Sequence, residues 1–509
     1  MNVNTKVLLL AGVALVAGGF ASGTLAADES LDDAVIVVEE GDDGADATIE
    51  IDEGEAHGAI TPEDGGSGED AIVIEPDEDA GAAGREPQQA TAPAVAGQAP
   101  PPTDGARVAT AGFQARTDKL RLEYSPLVGS DESVDAVGYG NAELSLGWSG
   151  SSRWEARLAG RADGYLQTGD PTADEAELDY GESYLRYRGD DLRLTVGTQT
   201  VIWGRIDEIP PTDRLSVQDL SRFILDDLQD RRRARPMVRV EGFAGENKLD
   251  LLWTPTFRGA ELPEKDSIWY PIDRRRGEVL GLPGDPLLRQ VVRGALIDDD
   301  APDSDNGFGL RFSRTEAAVD YALTVQQARQ STPYFRYDIP RNTLEARYPS
   351  AWSLGGDIGV EAGGAIWRLE AAWISDVPAT REDYRYVEVE GVNWAAGVEF
   401  FPGDGDARVN LQLAASTLYD TTDVLDRTDV YNFNGALELP FAQDRWRAKV
   451  RFFAGLDERD VYVNPEIVFL GWQPHSLYVE AHWFDGDDGT LGGFHDQHSL
   501  VSLGWRAEF

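Results

Sequence analysis

The chain has 509 residues, 91 Asp and Glu against 45 Lys and Arg, a formal net charge of -46, and no cysteine. That charge argues against nucleic acid as a partner, because a phosphate backbone would be repelled, although adaptation to salt or alkali also produces acidic chains. The lack of thiols excludes disulfides, thiolate metal sites and covalent haem attachment.

At the start, Lys6 precedes an apolar run from Val7 to Phe20, followed by small residues and a cut site after Ala26 or Ala27. The run is too short to span a bilayer as a helix, so residues 1–26 are expected to be a secretory signal peptide. No later stretch of about eighteen apolar residues occurs, so any membrane crossing must be made by a closed barrel. Residues 28 to 104 carry 23 acidic side chains against the single base Arg85, contain no aromatic residue, and end in Pro100-Pro101-Pro102. Such a segment buries too little apolar surface to offset its ordering entropy, and 27–104 is expected to be a disordered, acidic periplasmic arm. Three β-branched clusters in it, Asp33–Val38, Asp46–Ile51 and Asp70–Ile74, either add as strands to the sheet edge of a periplasmic partner or reflect drift in a low-complexity sequence.

From about residue 110 the pattern changes to segments of roughly ten residues with alternating polarity, the signature of barrel strands. Eighteen such segments lie between 112–125 and 498–509. The fold expected for 105–509 is therefore an all-β, transmembrane antiparallel barrel of 16 to 18 strands. Short turn-like links (Gly150-Ser151, Gly189-Asp190, Gly245-Glu246, Gly363-Gly364, Pro402 to Gly405) alternate with long ones (204–235, 257–306, 377–389), the rhythm of periplasmic turns and external loops.

Taking the apolar register of each strand as lipid-facing leaves basic residues in the lumen: Arg157 and Arg161, Arg186 and Arg188, Arg193, and above all Arg445, Arg447, Lys449 and Arg451, which alternate with outward Trp446, Ala448, Val450 and Phe452. Single inward bases follow at Arg121, Arg239, Arg311, Arg368 and Arg408. Rings of one charge bias which ions pass. Inward Glu155, Asp163, Glu182, Glu241 and Glu370 lie beside these bases, so the ladder reads equally as a conduction path or as a structural ion-pair network.

The 204–235 connection is the expected constriction, with acids Asp207, Glu208, Asp213, Asp219, Asp226 and Asp227 available to pair with a basic wall. A short helix is expected from Val217 to Gln229 with Ser216 as its cap, closed by Arg231, Arg232 and Arg233. Lying between the fifth and sixth strands, the connection resembles the third loop of general porins, which folds into the lumen. The stretch Gly197-Thr198-Gln199-Thr200-Val201-Ile202-Trp203-Gly204 with its Asp-containing sequel resembles a feature of the alginate-export-like and related uncharacterised porin families. That resemblance covers about forty residues and transfers no substrate.

His475, His482, His495 and His498 cluster near the end with Asp485, Asp487, Asp488 and Asp496. Their spacing matches no ligand motif, and the polarity of a loop accounts for them without a metal. No catalytic motif and no cofactor-binding pattern occurs. The chain closes on Val501, Leu503, Trp505, Ala507 and Phe509, alternating with polar or small residues. This ending, Trp505 and Phe509 in particular, resembles the C-terminal assembly signal of Gram-negative outer-membrane barrels, which implies outer-membrane lipid and the barrel-assembly machinery as partners. The function expected is a porin-like channel for diffusion or export of small hydrophilic, anionic solutes, constricted by the 204–235 loop. The alternative is an outer-membrane scaffold recruited through the acidic arm.

Overall fold

The computed structural model describes residues 112–129, 133–150, 153–302, 304–403 and 406–509; the expected signal segment and acidic arm lie outside the described residues. Eighteen barrel strands follow in order: β1 Gly112–Pro126, β2 Ser133–Ser149, β3 Trp154–Asp170, β4 in two pieces, Ala173–Tyr180 and Ser183–Arg188, β5 Leu192–Gln199, β6 Arg235–Ala244, β7 Asn247–Thr254, β8 Gly307–Thr315 and β9 Val319–Arg329. The second half comprises β10 Ser350–Ala362, β11 Ala365–Thr380, β12 Tyr386–Phe400, β13 Arg408–Leu418, β14 Asp429–Phe441, β15 Trp446–Gly455, β16 Asp460–Trp472, β17 His475–Gly486 and β18 Leu500–Glu508. Each pairs antiparallel with the next, and β1 closes on β18 in a register that sets Lys119 opposite Glu508 and Tyr124 opposite Leu503. Closure leaves no strand edge unpaired, the condition a sheet must meet in hydrocarbon.

Period-two alternation explains the two faces. On β1, Leu122 and Tyr124 stand exposed on the outside, whereas Arg121, Glu123 and Ser125 are buried inside. Exposed outward aromatics form two girdles: Trp154, Trp367, Phe441, Trp446 and Trp472 near the short-turn rim, and Tyr124, Trp253, Phe308, Trp352 and Trp483 near the long-loop rim. Apolar bands flanked by such girdles fit a barrel wall to a bilayer. At the short-turn rim, Gly363 and Gly364 take φ of 65° and 75°, the left-handed pair that a two-residue hairpin requires.

Three expectations change. The fourth strand begins at Ala173 rather than 178 and breaks at Gly181-Glu182, where the Ser183 hydroxyl donates to the Ala159 carbonyl at 3.1 Å. The segment 345–362 divides, because Thr343–Arg347 leaves the barrel to pair with Tyr334–Asp338 and Leu296–Asp298 in a three-stranded sheet. The long link 377–389 shrinks to 381–385, since β11 and β12 continue above the barrel wall to Thr380 and Tyr386. The 255–306 connection carries α1, Pro286–Gly294, whose cap Asp285 accepts from the amides of Leu287 and Leu288 at 2.9 Å with Pro286 in the first turn. Tyr270, Ile272, Leu288, Val292, Phe335 and Leu344 give this cap an apolar core of its own.

Candidate functional site

The segment between β5 and β6, residues 200–234, folds into the barrel, and its root shows why. Val201, Trp203 and Leu215 pack on wall residues Met237, Leu252 and Ala328. Gly204, at φ 129°, brings its backbone against β11, where a Cβ would lie 2.7 Å from a Glu370 carboxylate oxygen. Only glycine fits that approach. Glu370, wholly buried, accepts from the amides of Arg205 (2.8 Å) and Thr212 (2.7 Å) and from the Thr212 hydroxyl (2.7 Å). A carboxylate thus replaces the secondary-structure partners that the loop's amides lack. Arg205 pairs with Asp357 of β10, and Asp207 accepts from Arg408 at 3.1 Å and from Asn410, both on β13.

The tip is tied to the opposite wall. Asp226 accepts from Arg121 of β1 at 2.6 Å, and Arg222 pairs with both Asp226 and Glu123. Tyr478 of β17 accepts from Arg121 at 2.8 Å and donates to Glu123 at 2.7 Å. Asp227 pairs with Lys449 (2.9 Å) and Arg451 (3.2 Å) of β15, and Arg451 also donates to the Leu225 and Asp226 carbonyls. Asp219 pairs with Arg161 of β3 (3.1 Å) and with Arg233 (2.7 Å), which also reaches Glu177 and Asp179 of β4. Burial opposes ionisation of Asp226 and Asp227, but Arg222 and Arg121 around the first, and Arg451 and Lys449 around the second, hold both carboxyls well below the usual range. At Asp213 burial wins and its carboxyl is raised, although it accepts from Arg232 at 3.0 Å and Ser216 at 2.6 Å. Glu208 makes one long contact, 3.5 Å, with Arg231.

The expected helix from Val217 to Gln229 does not form. Val217-Gln218 instead pairs antiparallel with Arg232-Arg233, Phe223 sits at φ 54°, and Asp219 bonds Ser221 locally through its amide and hydroxyl. Ser216, the expected cap, donates to Asp213.

The wall bases meet acids on the wall, two of them sharing one carboxylate. Arg157 pairs with Asp118 (2.6 Å), Arg161 with Asp163 (2.6 Å), Arg186 and Arg188 with Glu155 (2.6 and 2.8 Å), Arg193 with Glu241 (3.2 Å) and Arg447 with Glu438 (3.5 Å). Arg445 leaves the ladder: it lies in the exposed turn before β15, with its guanidinium 5.7 Å from the Phe469 ring centroid on the outward face of β16. Arg222 and Glu123 join the network although neither was picked out from sequence. The signals were there: Arg222 stands four residues before Asp226, and Glu123 shares the inward register of Arg121.

Three chambers border the loop. One of about 470 Å³ is lined by Asp118, Glu143, Arg157, Arg161, Asp230 and Arg233 on the β1–β4 side. A second of about 240 Å³ lies against β12–β14, between Glu208, Asp213, Arg214, Arg231 and Arg232 of the loop and Asn393 and Asn432 of the wall. A third of about 600 Å³ lies under the cap, walled by Leu220, Phe223, Ile224, Leu262, Trp269 and Leu282. Arg232 borders the first two chambers; Gln218, Arg231, Ser416 and Val430 border the second and third.

The histidines separate. His475 stacks on Trp505 on the outer face (5.7 Å), His482 bonds the Tyr462 hydroxyl at 2.9 Å inside, and His495 meets His498 nitrogen to nitrogen at 2.8 Å beneath the cap. Among the described residues, no group of three His, Asp or Glu side chains is placed to hold a metal. At the C terminus, Trp505 lies opposite Leu122 and Leu477, and the exposed Phe509 donates its amide to the Asp118 carbonyl at 3.2 Å.

No protein-family model matches the sequence, and no curated protein matches it. Among solved structures, the chain is similar to OccAB1 of Acinetobacter baumannii, with 8% identity, a TM-score of 0.48 and 78% of this chain and 96% of that one covered. It is similar to the outer membrane channel DcaP of Acinetobacter baumannii at 10% identity and a TM-score of 0.40, covering 78% and 98% of the two chains. Salmonella typhi OmpF is similar at 8% identity and a TM-score of 0.39, with 78% and 98% covered.

Proposed function

We propose that this chain is a porin-like channel of a Gram-negative outer membrane, passing small hydrophilic, anionic solutes through a lumen constricted by residues 200–234. The observation that supports this best is the loop itself: it crosses the lumen tied to β1, β3, β11, β13 and β15, with chambers on both sides rather than a packed apolar plug. A barrel of eighteen strands is wide enough to leave an aqueous passage beside such a loop. Both ends of the barrel lie at the short-turn rim, which this reading sets in the periplasm. The sequence from Gly197 to Gly204 is the basis for grouping the chain with alginate-export-like barrels. The full-length protein, reconstituted in planar bilayers, is expected to give stable openings whose reversal potential in a salt gradient has the sign of anion preference. An electrically silent, folded barrel would overturn the channel and favour a scaffold recruited through residues 28–104.

A further inference from the structure

Where the inner-wall bases named above meet acids, a guanidinium of the loop meets none among the described residues. Arg214 lines the 240 Å³ chamber, half-buried, and its side chain makes no hydrogen bond or ion pair among the described residues. Arg231, at the seam between this chamber and the 600 Å³ one, has the single 3.5 Å contact with Glu208. Burial lowers both guanidiniums from their usual range, with Asp213 and Glu208 offsetting it only in part. Arginine stays charged through such a shift, so Arg214 remains a donor without an acceptor and Arg231 keeps a spare donor beyond its one long contact.

The 600 Å³ chamber under the cap is the more apolar of the two. Leu220, Phe223, Ile224, Leu262, Leu280 and Leu282 make up its apolar part, Arg231, Arg427, Asp426 and Asp460 also line it, and Trp269 buries an indole N–H with no acceptor among the described residues. An inorganic anion gains nothing from the apolar part of these walls, whereas an apolar body does.

We infer that the two chambers form one binding site for an organic anion with an apolar body, its carboxylate held by Arg214 and Arg231 and its ring or hydrocarbon part lodged among Leu220, Phe223, Ile224 and Trp269. This deepens the channel reading and rests on it for its transport consequence, but the binding itself is measured separately. The planar guanidinium fork suits a carboxylate, and the apolar antechamber selects among carboxylates.

The test is calorimetric titration of the full-length protein in detergent with benzoate, acetate and benzylamine, beside chloride conductance of the same preparation in bilayers. Benzoate is expected to bind at least about tenfold more tightly than acetate and to reduce the chloride current, while benzylamine, with the same ring and the opposite charge, does neither. Arg214→Gln and Arg231→Gln should each weaken benzoate about tenfold, Arg214→Lys only a few-fold, and Ile224→Ser should weaken benzoate while leaving acetate unchanged. The lysine variant and heat-modifiable gel mobility identify any loss of fold. Equal affinity for benzoate and acetate, or benzoate binding indifferent to both glutamine variants, overturns the site even if the barrel conducts. Benzoate binding with the expected variant pattern in a barrel that does not conduct upholds the site and overturns the channel.

Discussion

At the scale of residues, the same ion pair means different things at different depths. Arg451 is 6% exposed and holds Asp227 together with two loop carbonyls, whereas Arg447 is partly open to the lumen and meets Glu438 at 3.5 Å. Asp227 is itself more than half exposed, so what removal of buried Arg451 costs is chiefly the donors to the Leu225 and Asp226 carbonyls, about 1–3 kcal/mol for each carbonyl left unsatisfied, while a solvated pair contributes about 0–1 kcal/mol. Arg451→Ala is therefore expected to lower the unfolding free energy several-fold more than Arg447→Ala, as read by denaturant titration in detergent; equal effects would count against the loop being anchored there. Glu370 makes a sharper case, because it serves amides rather than a cation. Glu370→Ala leaves at least two buried donors unsatisfied at about 1–3 kcal/mol each. The variant is expected to be less stable and, with the loop root freed, to show larger and noisier single-channel conductance; an unchanged conductance would place the constriction elsewhere. The inward position of Glu370 was legible from alternation along its strand, but its partners were not, because they lie more than 150 residues away in sequence.

At the scale of elements, strands were legible and the loop's internal form was not. A strand's outward face meets lipid and its inward face meets charge, so polarity along the chain records the fold directly. The loop answers to the walls on either side. Its sequence from Ser216 to Gln229 has helical character, yet Asp219 is drawn to Arg161 and Arg233 while Arg222 is drawn to Glu123, and a continuous helix does not meet both demands. The last long connection shows the same dependence on context. A short helix, α2, Leu491–Phe494, delivers His495 into a buried nest of Phe223 from the constriction loop, Trp269 from the cap and Phe484 from β17. The charged or titratable groups facing it are His498 and Arg276, the latter donating to the Phe494 carbonyl. Burial first, then these two neighbours, holds the His495 imidazole well below its ordinary value. The undocked loop takes up a proton near pH 6.5 and the docked one resists it, so docking is at full strength above about pH 6.5 and weakens as pH falls below it. Hydrogen exchange at Leu491 to His498 is expected to accelerate between about pH 6.5 and 5, over and above the intrinsic rate, and His495→Phe should remove that pH dependence. An acceleration that persists in the variant would assign it to another group.

At the scale of the molecule, charge is distributed by function rather than spread evenly. Residues 105 to 509 carry 68 acids against 43 bases, yet the bases named on the inner wall find acids, and the wall acids Glu370 and Glu182 accept from loop amides. The excess acid of the whole chain is therefore a poor guide to what the lumen prefers, because a solute meets the local field of the passage it enters, not the net charge. Composition made the two halves of the chain distinguishable, since 23 of the 91 acids fall in residues 28 to 104 beside a single base. If the barrel conducts on its own, that segment lies outside the conduction path, and an in-frame deletion of residues 28–104 behind the signal segment should leave single-channel conductance and anion preference within about twofold of the full chain. The same deletion separates the rival readings: a channel keeps its conductance and any solute-uptake phenotype, whereas a scaffold recruited through the acidic segment loses its partner and its phenotype together. Loss of conductance on deletion would mean that the acidic segment takes part in the pore itself.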